Sequence, residues 1–374
     1  MLWLLAGLVA GSLVYCVLVI VATRRYLRVR PLPLRQPIPV SVLKPLAGLD
    51  EGLESNLQTF FEQEYPSYEI LFAVRHDTDT AVSVVRELQA KYSNVPSQLL
   101  FVGEPPYPNA KVWSLQHMTQ AANHDLLVMS DSDIRVSPDF LGTIAAEFQD
   151  PKLGVSTCPY RAVPGRSLWS SLEAIGMNTE FLAGVVVARM LEGMKFALGP
   201  TASARKQVLK QIGGWDRLKD YLAEDFVLGN FAADKGWQVI LSSYVIEHHI
   251  GSQEFRANAR HRLRWLRSTC RSRPAGYVGQ LFTNPLPLAL FLWLTRPEWW
   301  PVLVGTVVIR SFAAIATARW ILRDPLTLRR WYLLPIQDLL SFAFWVAGFF
   351  GNTILWRGRR YRLMKDGTFQ LIEA

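Results

Sequence analysis

The sequence predicts an α/β domain with a mostly parallel sheet, tied to a membrane by an N-terminal helix and by further apolar helices near its C-terminus. Three observations lead there. The first residues form a charge-free apolar run, the middle alternates short β-rich runs with helical patterns, and from about Leu281 the chain turns apolar again. Strands separated by helices favour parallel pairing through crossovers.

Composition narrows the class. Of 374 residues, 50% are hydrophobic and 19% charged, which excludes a disordered chain or a collagen-like repeat and argues against a wholly transmembrane one. Forty Lys+Arg against thirty-one Asp+Glu leave a net charge of +9. That suits a polyanion, anionic lipid or a phosphate-bearing substrate without choosing among them. Cys16, Cys158 and Cys270 are far apart and form no CxxC pair, so neither a disulfide framework nor a zinc site is implied.

Residues 1–22 contain no charge and are mostly Leu, Val, Ile and Ala. A helix of that length reaches about 33 Å, enough for a hydrocarbon core of about 30 Å. Basic residues follow it, Arg24, Arg25, Arg28 and Arg30. A signal peptide carries its charge before the apolar run and a small-residue cleavage site after it. The reversed order predicts an uncleaved anchor whose C-terminal flank, and the domain beyond, lie in the cytoplasm.

Residues 37–252 read as the soluble domain. The expected strands are Val40–Leu43, Glu69–Val74, Gln98–Val102 and Asp125–Met129, and the helices between them Glu54–Gln63, Ala81–Tyr92 and Lys111–Asn123. Residues 253–280 form a basic interfacial region. In 281–356 the candidate membrane segments are Leu281–Thr295, Trp299–Ala318 and Leu333–Trp356, with a basic tail at 357–374. Tryptophans at segment ends resemble an aromatic belt. The first segment is short and Arg310 interrupts the second, which leaves a re-entrant hairpin open. The loop 319–330 and the tail are both basic, yet one full crossing would put them on opposite faces.

Ligands of open α/β sheets bind beyond the carboxyl ends of the strands, and acidic groups fall there. Asp77 and Asp79 follow the second strand, Asp131-Ser132-Asp133 follows the fourth, and Glu224-Asp225 opens the helical stretch 226–234. A D-x-D unit at a strand end offers hard oxygen ligands to Mg²⁺ or Mn²⁺ with substrate phosphates. The alternative is a turn held by Asx hydrogen bonds. Asp225 suits a general base, or else merely offsets a helix dipole. Lys44 and Lys111 are placed to reach phosphate or uracil, or are solvated lysines. Gly213-Gly214-Trp215 offers either a flat wall for a sugar or plain core. His248-His249 reads as structural rather than metal-binding. The stretch 181–188 is either buried helix or a segment dipping into the interface to admit a lipid. The run from His261 to Arg267 is either a basic amphipathic helix on anionic lipid, or places Arg264 against a departing diphosphate with Trp265 packed beside it.

Taken together, Val40-Ser41-Val42-Leu43-Lys44-Pro45-Leu46, Asn56–Phe61 with Tyr65-Pro66, Asp131-Ser132, Ile134-Arg135-Val136, Leu222-Ala223-Glu224-Asp225 and Trp356–Leu363 resemble, nearly end to end, the ceramide glucosyltransferase family of GT-A glycosyltransferases and its bacterial relatives that act on hopanoid lipids. The resemblance implies a GT-A nucleotide-sugar domain and the pattern D1, D2, D3, (Q/R)xxRW, matched here by Asp79, Asp131, Asp225 and His261-x-x-Arg264-Trp265. It implies that Asp79, with Lys44 and Lys111, contacts the donor and that Asp131 and Asp133 hold Mg²⁺ or Mn²⁺ on its diphosphate. Asp225 would be the base, and His261, Arg264 and Trp265 would face the leaving group and acceptor. His261 stands where the family has Gln or Arg.

The expected activity is inverting transfer of glucose or N-acetylglucosamine from a UDP-sugar to a membrane-lipid hydroxyl. The competing acceptors are a hopanoid, a diacylglycerol or a polyprenyl phosphate. A processive synthase is disfavoured because few apolar segments remain to build a pore. A nucleic-acid partner is disfavoured because no aromatic–basic single-strand platform or recognition helix is present.

Overall fold

Period-two alternation sets the sheet. The computed structural model describes residues 2–356 and 358–373; Met1, Arg357 and Ala374, which belong to the anchor and tail expectations, lie outside the described residues. Strands β1 (Val40–Pro45), β2 (Tyr68–Val74), β3 (Ser97–Phe101) and β4 (Leu126–Ser130) are parallel neighbours in the order β3-β2-β1-β4. Val40, Val42, Ile70, Phe72, Leu126 and Val128 enter one core, whereas Leu43, Leu71, Ala73, Leu127 and Met129 enter another on the opposite face. Both faces are covered, as parallel sheets require. The crossover helices Leu53–Phe61, Ala81–Lys91 and Ala110–Ala121 fall where the apolar spacing puts them.

After β5 (Ile134–Arg135), β6 (Leu153–Thr157) and β7 (Tyr160–Pro164) come β8 (Thr201–Arg205), β9 (Gln238–Leu241) and β10 (Ile246–Ile250). The main sheet continues β4-β8-β6-β9, with β8 antiparallel to both neighbours, so the seven strands are mostly parallel. A second sheet of order β5-β10-β7 stands beside it. Its β5–β10 register, His248 opposite Ile134, brings the D-x-D unit to the two histidines.

Among the described residues, three helices are long and apolar enough to cross a membrane: Leu2–Tyr26, Leu168–Glu192 and Pro297–Ile321. The first leaves Trp3, Leu4, Val14 and Val17 exposed but sends Cys16, Val19, Ala22 and Tyr26 into the same core as β1 and β2. Tyr26 Oη then donates to the Ser242 carbonyl at 2.5 Å. Leu168–Glu192 contains a π-helical turn at Met177–Phe181 and packs on the N-terminal helix. Asn178 in that turn holds the Ala162 backbone of β7, accepting from its N–H at 2.8 Å and donating to its carbonyl at 3.1 Å. Val185 and Val187 are buried. The stretch 181–188 is therefore packed helix and does not dip into the interface to admit a lipid, since Val185, Val187 and their apolar neighbours find partners inside the protein.

Of the C-terminal segments, the first and third are shorter than expected and the second is longer. The helices are Pro285–Thr295, Pro297–Ile321 and Leu334–Gly348. The last has 15 residues, about 22 Å at 1.5 Å per residue and short of a full crossing. Residues 353–356, expected as its end, instead form β11 (Thr353–Trp356), which pairs with β12 (Arg359–Leu363) and β13 (Phe369–Glu373) in a three-stranded antiparallel sheet. This removes the charge conflict. The loop after residue 319 accepts from Arg161 Nη1 through the Leu322 and Arg323 carbonyls. The tail meets the α/β domain through Phe369 N–H to the Asp220 carbonyl and Arg359 to Glu104 at 3.0 Å. Both basic segments thus lie on the side of the α/β domain.

Arg310, which interrupts the second apolar segment, forms a two-pronged pair with Asp338, Nε–Oδ2 and Nη2–Oδ1 both 2.9 Å, and Nη2 also donates to Thr179 Oγ1. A planar guanidinium on a carboxylate satisfies both charges where no water does. Asp338→Ala leaves that charge buried alone and is expected to cost about 3–5 kcal/mol. The melting temperature in detergent should fall by several degrees, and Arg310→Met with Asp338→Leu should recover most of it; an unchanged melting temperature for the single variant would contradict the pairing.

Candidate active site

Lys111 is the centre of the site. Asn109 caps the helix Ala110–Ala121, its Oδ1 accepting from Val112 N–H at 3.1 Å, and this places Lys111 in the first turn. Its Nζ lies 2.8 Å from Asp131 Oδ1 and 3.1 Å from Glu224 Oε1, and donates to the Gly199 carbonyl at 3.3 Å. One ammonium therefore joins the D-x-D unit at the end of β4 to the first turn of the helix Glu224–Asp234. Burial works against its charge, but Asp131, Glu224 and Asp225 more than offset that and hold its pKa above the ordinary lysine value.

Asp225 enters beside Glu224, and Gly199 leaves room for it: a Cβ at Gly199 would sit 3.0 Å from Asp225 Oδ2. Burial first, then the adjacent Glu224 carboxylate, pushes Asp225 up to about 7, against the pull of Lys111. Asp131, whose N–H donates to the Pro200 carbonyl, is also raised, chiefly by burial. Asp133 goes the other way. Burial would raise it, yet His248, with Nε2 3.0 Å from Asp133 Oδ2, holds it down to about 2. Lys44 is fully buried at the end of β1, bonded to Ser130 Oγ at 3.3 Å and to the Asp131 carbonyl, with its Nζ 3.9 Å from the centre of the Phe60 ring. Burial lowers its pKa to about 7 despite Asp131 and Asp133.

Asp79 stands apart from this cluster. Its carboxylate accepts from Gly48 N–H at 3.0 Å and Ala81 N–H at 2.9 Å, tying the loop after β1 to the helix after β2. With β1 between β2 and β4, the ends carrying Asp79 and Asp131 are two strand spacings apart, roughly 10 Å. The xxRW residues lie on helix Phe255–Ser272. His261 Nδ1 is 2.7 Å from Glu173 Oε1, Trp265 meets Phe181 at 6.2 Å, and the Arg264 guanidinium lies 5.7 Å from the centre of the Trp356 ring. Phe181 stacks on Tyr160 at 5.2 Å, and Tyr160 meets His248 at 5.5 Å, so a line of rings joins the motif helix to Asp133.

Two residues of this arrangement escape sequence reading. His248 partners Asp133, although the pair His248-His249 reads as structural. Glu173 holds His261; its signal was a carboxylate inside an otherwise apolar helix, a costly placement that calls for a partner. Trp215 is core, its Nε1 donating to Thr119 Oγ1 at 2.9 Å, because the glycines before it turn it inward. Among the described residues no group of three or more His, Cys, Asp or Glu is arranged to hold a metal. The pair Asp131 and Asp133 nevertheless fits a cation that keeps waters and substrate phosphates as its other ligands: Asp133 Oδ1 is buried without a hydrogen-bond partner.

The profile of glycosyl transferase family 21 matches residues 4–369. The chain belongs to this family. It is similar to ceramide glucosyltransferase 1 of Caenorhabditis elegans, 31% identical over 207 residues that cover 55% of this chain and 44% of that one. Ceramide glucosyltransferase of Komagataella phaffii is 30% identical over 134 residues, 34% of this chain and 26% of that one. The chain thus spans less than half the length of these curated relatives. A mannosyltransferase of Pyrobaculum calidifontis, solved with GDP-Man and Mn²⁺, shares the fold with a TM-score of 0.59 at 18% identity, over 93% of this chain and 98% of that one. This family 21 glycosyltransferase thus carries the GT-A α/β domain, with apolar helices at both ends.

Gly199→Ala is expected to move the Asp225 carboxylate by a few tenths of an ångström and slow sugar transfer about tenfold or more, with the protein folded and its nucleotide binding unchanged. Normal turnover in that variant, measured with saturating donor, would remove Gly199 from the site.

Proposed function

We propose that this glycosyltransferase moves a hexose, glucose or N-acetylglucosamine, from a UDP-sugar to the hydroxyl of a membrane lipid, with inversion at the anomeric carbon. The observation that carries this reading is the cluster around Lys111, whose ammonium pairs with Asp131 and Glu224 and stands beside Asp225, a carboxylate that burial and Glu224 raise to about 7. The relatives named ceramide glucosyltransferase support the sugar and the lipid, and a sphingolipid-like acceptor is preferred over a hopanoid or diacylglycerol. The similarly folded mannosyltransferase, solved with a nucleotide sugar and Mn²⁺, supports a divalent ion.

The donor's uridine would lie near Asp79 and its diphosphate near Lys44, Lys111 and the D-x-D pair. A Mg²⁺ or Mn²⁺ ion held by Asp131 and Asp133 would supply charge screening for the diphosphate. Asp225 removes the proton from the acceptor hydroxyl as its oxygen attacks the anomeric carbon; the bond to the diphosphate breaks, and UDP departs as an anion. Arg264, braced on Trp356, stabilises that departing charge, while Trp265 and His261 face the acceptor. The apolar helices beside the motif helix keep the acceptor lipid within reach, and the basic residues after the anchor support a cytoplasmic orientation of the domain.

Asp225→Asn should lower kcat at least about a thousandfold and leave the thermal shift with UDP and Mn²⁺ intact, because the amide keeps the shape and loses the basicity. A mild loss would instead favour a polyprenyl-phosphate acceptor, which needs no strong base. The identity of donor and lipid is read by incubating membranes with labelled UDP-glucose and UDP-N-acetylglucosamine and identifying the product; no labelled lipid from either would sink the reading.

The pH dependence follows from the raised Asp225 value. Below about 7 the carboxyl is protonated and cannot accept the hydroxyl proton, so kcat/KM should fall about tenfold per pH unit there and level off above it. A profile flat down to pH 5 would show that Asp225 is not the group that takes the proton.

A further inference from the structure

The roles above leave Glu173 without one. It sits in the apolar helix Leu168–Glu192 with 6% of its surface exposed. A carboxylate survives such surroundings only when its oxygens are paired, and both are. Oε1 lies 2.7 Å from His261 Nδ1, and Oε2 accepts from Asn258 Nδ2 at 2.6 Å. Asn258 and His261 are three residues apart on one face of helix Phe255–Ser272.

This pairing settles the imidazole. A carboxylate only accepts, so the ring must donate from Nδ1, which leaves Nε2 as the free nitrogen on the other edge of the ring. His261 lies 5.6 Å from Trp265, ring to ring, and Trp265 in turn meets Phe181 of the apolar helix. A line of rings through Phe181 and Tyr160 connects this corner with Asp133 and His248. This corner therefore lies against the apolar helix Leu168–Glu192.

We propose that Glu173 is a positioning residue that fixes His261 with Nε2 toward the acceptor, where it receives a hydrogen bond from a second polar hydrogen of the lipid head, a hydroxyl or amide N–H other than the one that reacts. The proposal rests on the lipid-acceptor reading. It accounts for His where the pattern has Gln: a Gln brings its own acceptor oxygen, whereas a His needs its tautomer chosen; an Arg at that position only donates and would not make this contact. The acceptor class it selects is a lipid with two neighbouring polar hydrogens over one with a single hydroxyl.

The test uses the full chain in nanodiscs. Glu173→Ala should lower kcat/KM for a two-donor lipid about ten- to a hundredfold and hardly change it for a single-hydroxyl lipid, with the UDP–Mn²⁺ thermal shift unaltered; Glu173→Gln, which keeps an acceptor oxygen, should fall between it and wild type. With His261→Gln in place, Glu173→Ala should cost less than about threefold, because the orienting contact is no longer used. The same loss in both backgrounds, or a matching loss of UDP affinity, would overturn the proposal. Independently of transfer, ¹⁵N NMR of histidine-labelled protein should show neutral His261 protonated at Nδ1 in wild type, and Nε2 protonation alongside normal transfer would overturn this inference alone. A wild-type protein that glycosylates no lipid would overturn the proposed function and the acceptor role of His261 together, while the Nδ1 tautomer would still stand.

Discussion

Buried carboxylates repel, and this site holds several within reach of one ammonium. Lys111 touches Asp131 and Glu224 directly and acts on Asp225 through the field alone. Unit charges a few ångströms apart interact by several kcal/mol at the effective permittivity of a protein interior, so the relative placement of β4 and the helix Glu224–Asp234 depends on that lysine. The asymmetry among the carboxylates follows. Asp133 has its own imidazole and stays charged; Asp225 shares Lys111 with two others, lies against Glu224, and is left with a proton affinity suited to a base at neutral pH. Two environments that push two carboxyl groups apart assign them different tasks.

The catalytic domain and the apolar helices are one packed body, which distinguishes this architecture from a soluble domain on a tether. Cys16, Val19 and Ala22 of the first helix share a core with β1, β2 and β4. The helix Leu168–Glu192 binds both ways: Asn178 clasps the β7 backbone, Glu173 holds the motif helix, and Glu180 accepts from Thr283 and Asn284 at the start of the C-terminal helices. The π-helical turn lies where these demands conflict, since an extra residue in the turn lets Asn178 and Phe181 point at the catalytic domain while the following turns face the N-terminal helix. Arg264 is likewise placed by a remote segment, because Trp356 beneath it belongs to the C-terminal sheet.

The sheet was legible because its signal is local. Runs such as Leu126–Met129 are apolar on both faces, and the helices between carry their own periodicity, so strand identity needs no tertiary information. The sequence put Asp131 just past a strand and Asp225 at a helix start, and the structure brings both to Lys111. Lys111 was visible only as a lysine near a strand end, and its bridging role depends on β8 running antiparallel between β4 and β6, which spacing does not encode. His248 and Glu173 act through partners 115 and 88 residues away, so neither contact leaves a mark in the local pattern. The ends of the apolar segments failed for the converse reason. Composition reports that 349–356 is greasy, but pairing with β12, a tertiary event, turns its last four residues into a strand.

The charge balance of the cleft also bears on what it can admit. Asp131, Asp133, Glu224 and the half-titrated Asp225 face Lys44, Lys111 and His248, with Lys44 drawn down to about 7 and His248 drawn up by Asp133 despite its burial. Lys44 thus holds its proton less firmly than an ordinary lysine and His248 more firmly than an ordinary histidine, so the four carboxylates are offset only in part by the protein's own cations. Adding a bare nucleotide diphosphate would bring two or more negative charges against the carboxylates; adding a bare divalent cation would bring two positive charges against the lysines. A donor and its ion together add almost nothing, and each offsets the desolvation of the other. Under the proposed function, Lys44 and His248 would let a site with four carboxylates accept an anionic sugar donor, and any ion-dependence of donor binding would be set by the protein's own charges as much as by the chemistry of the diphosphate.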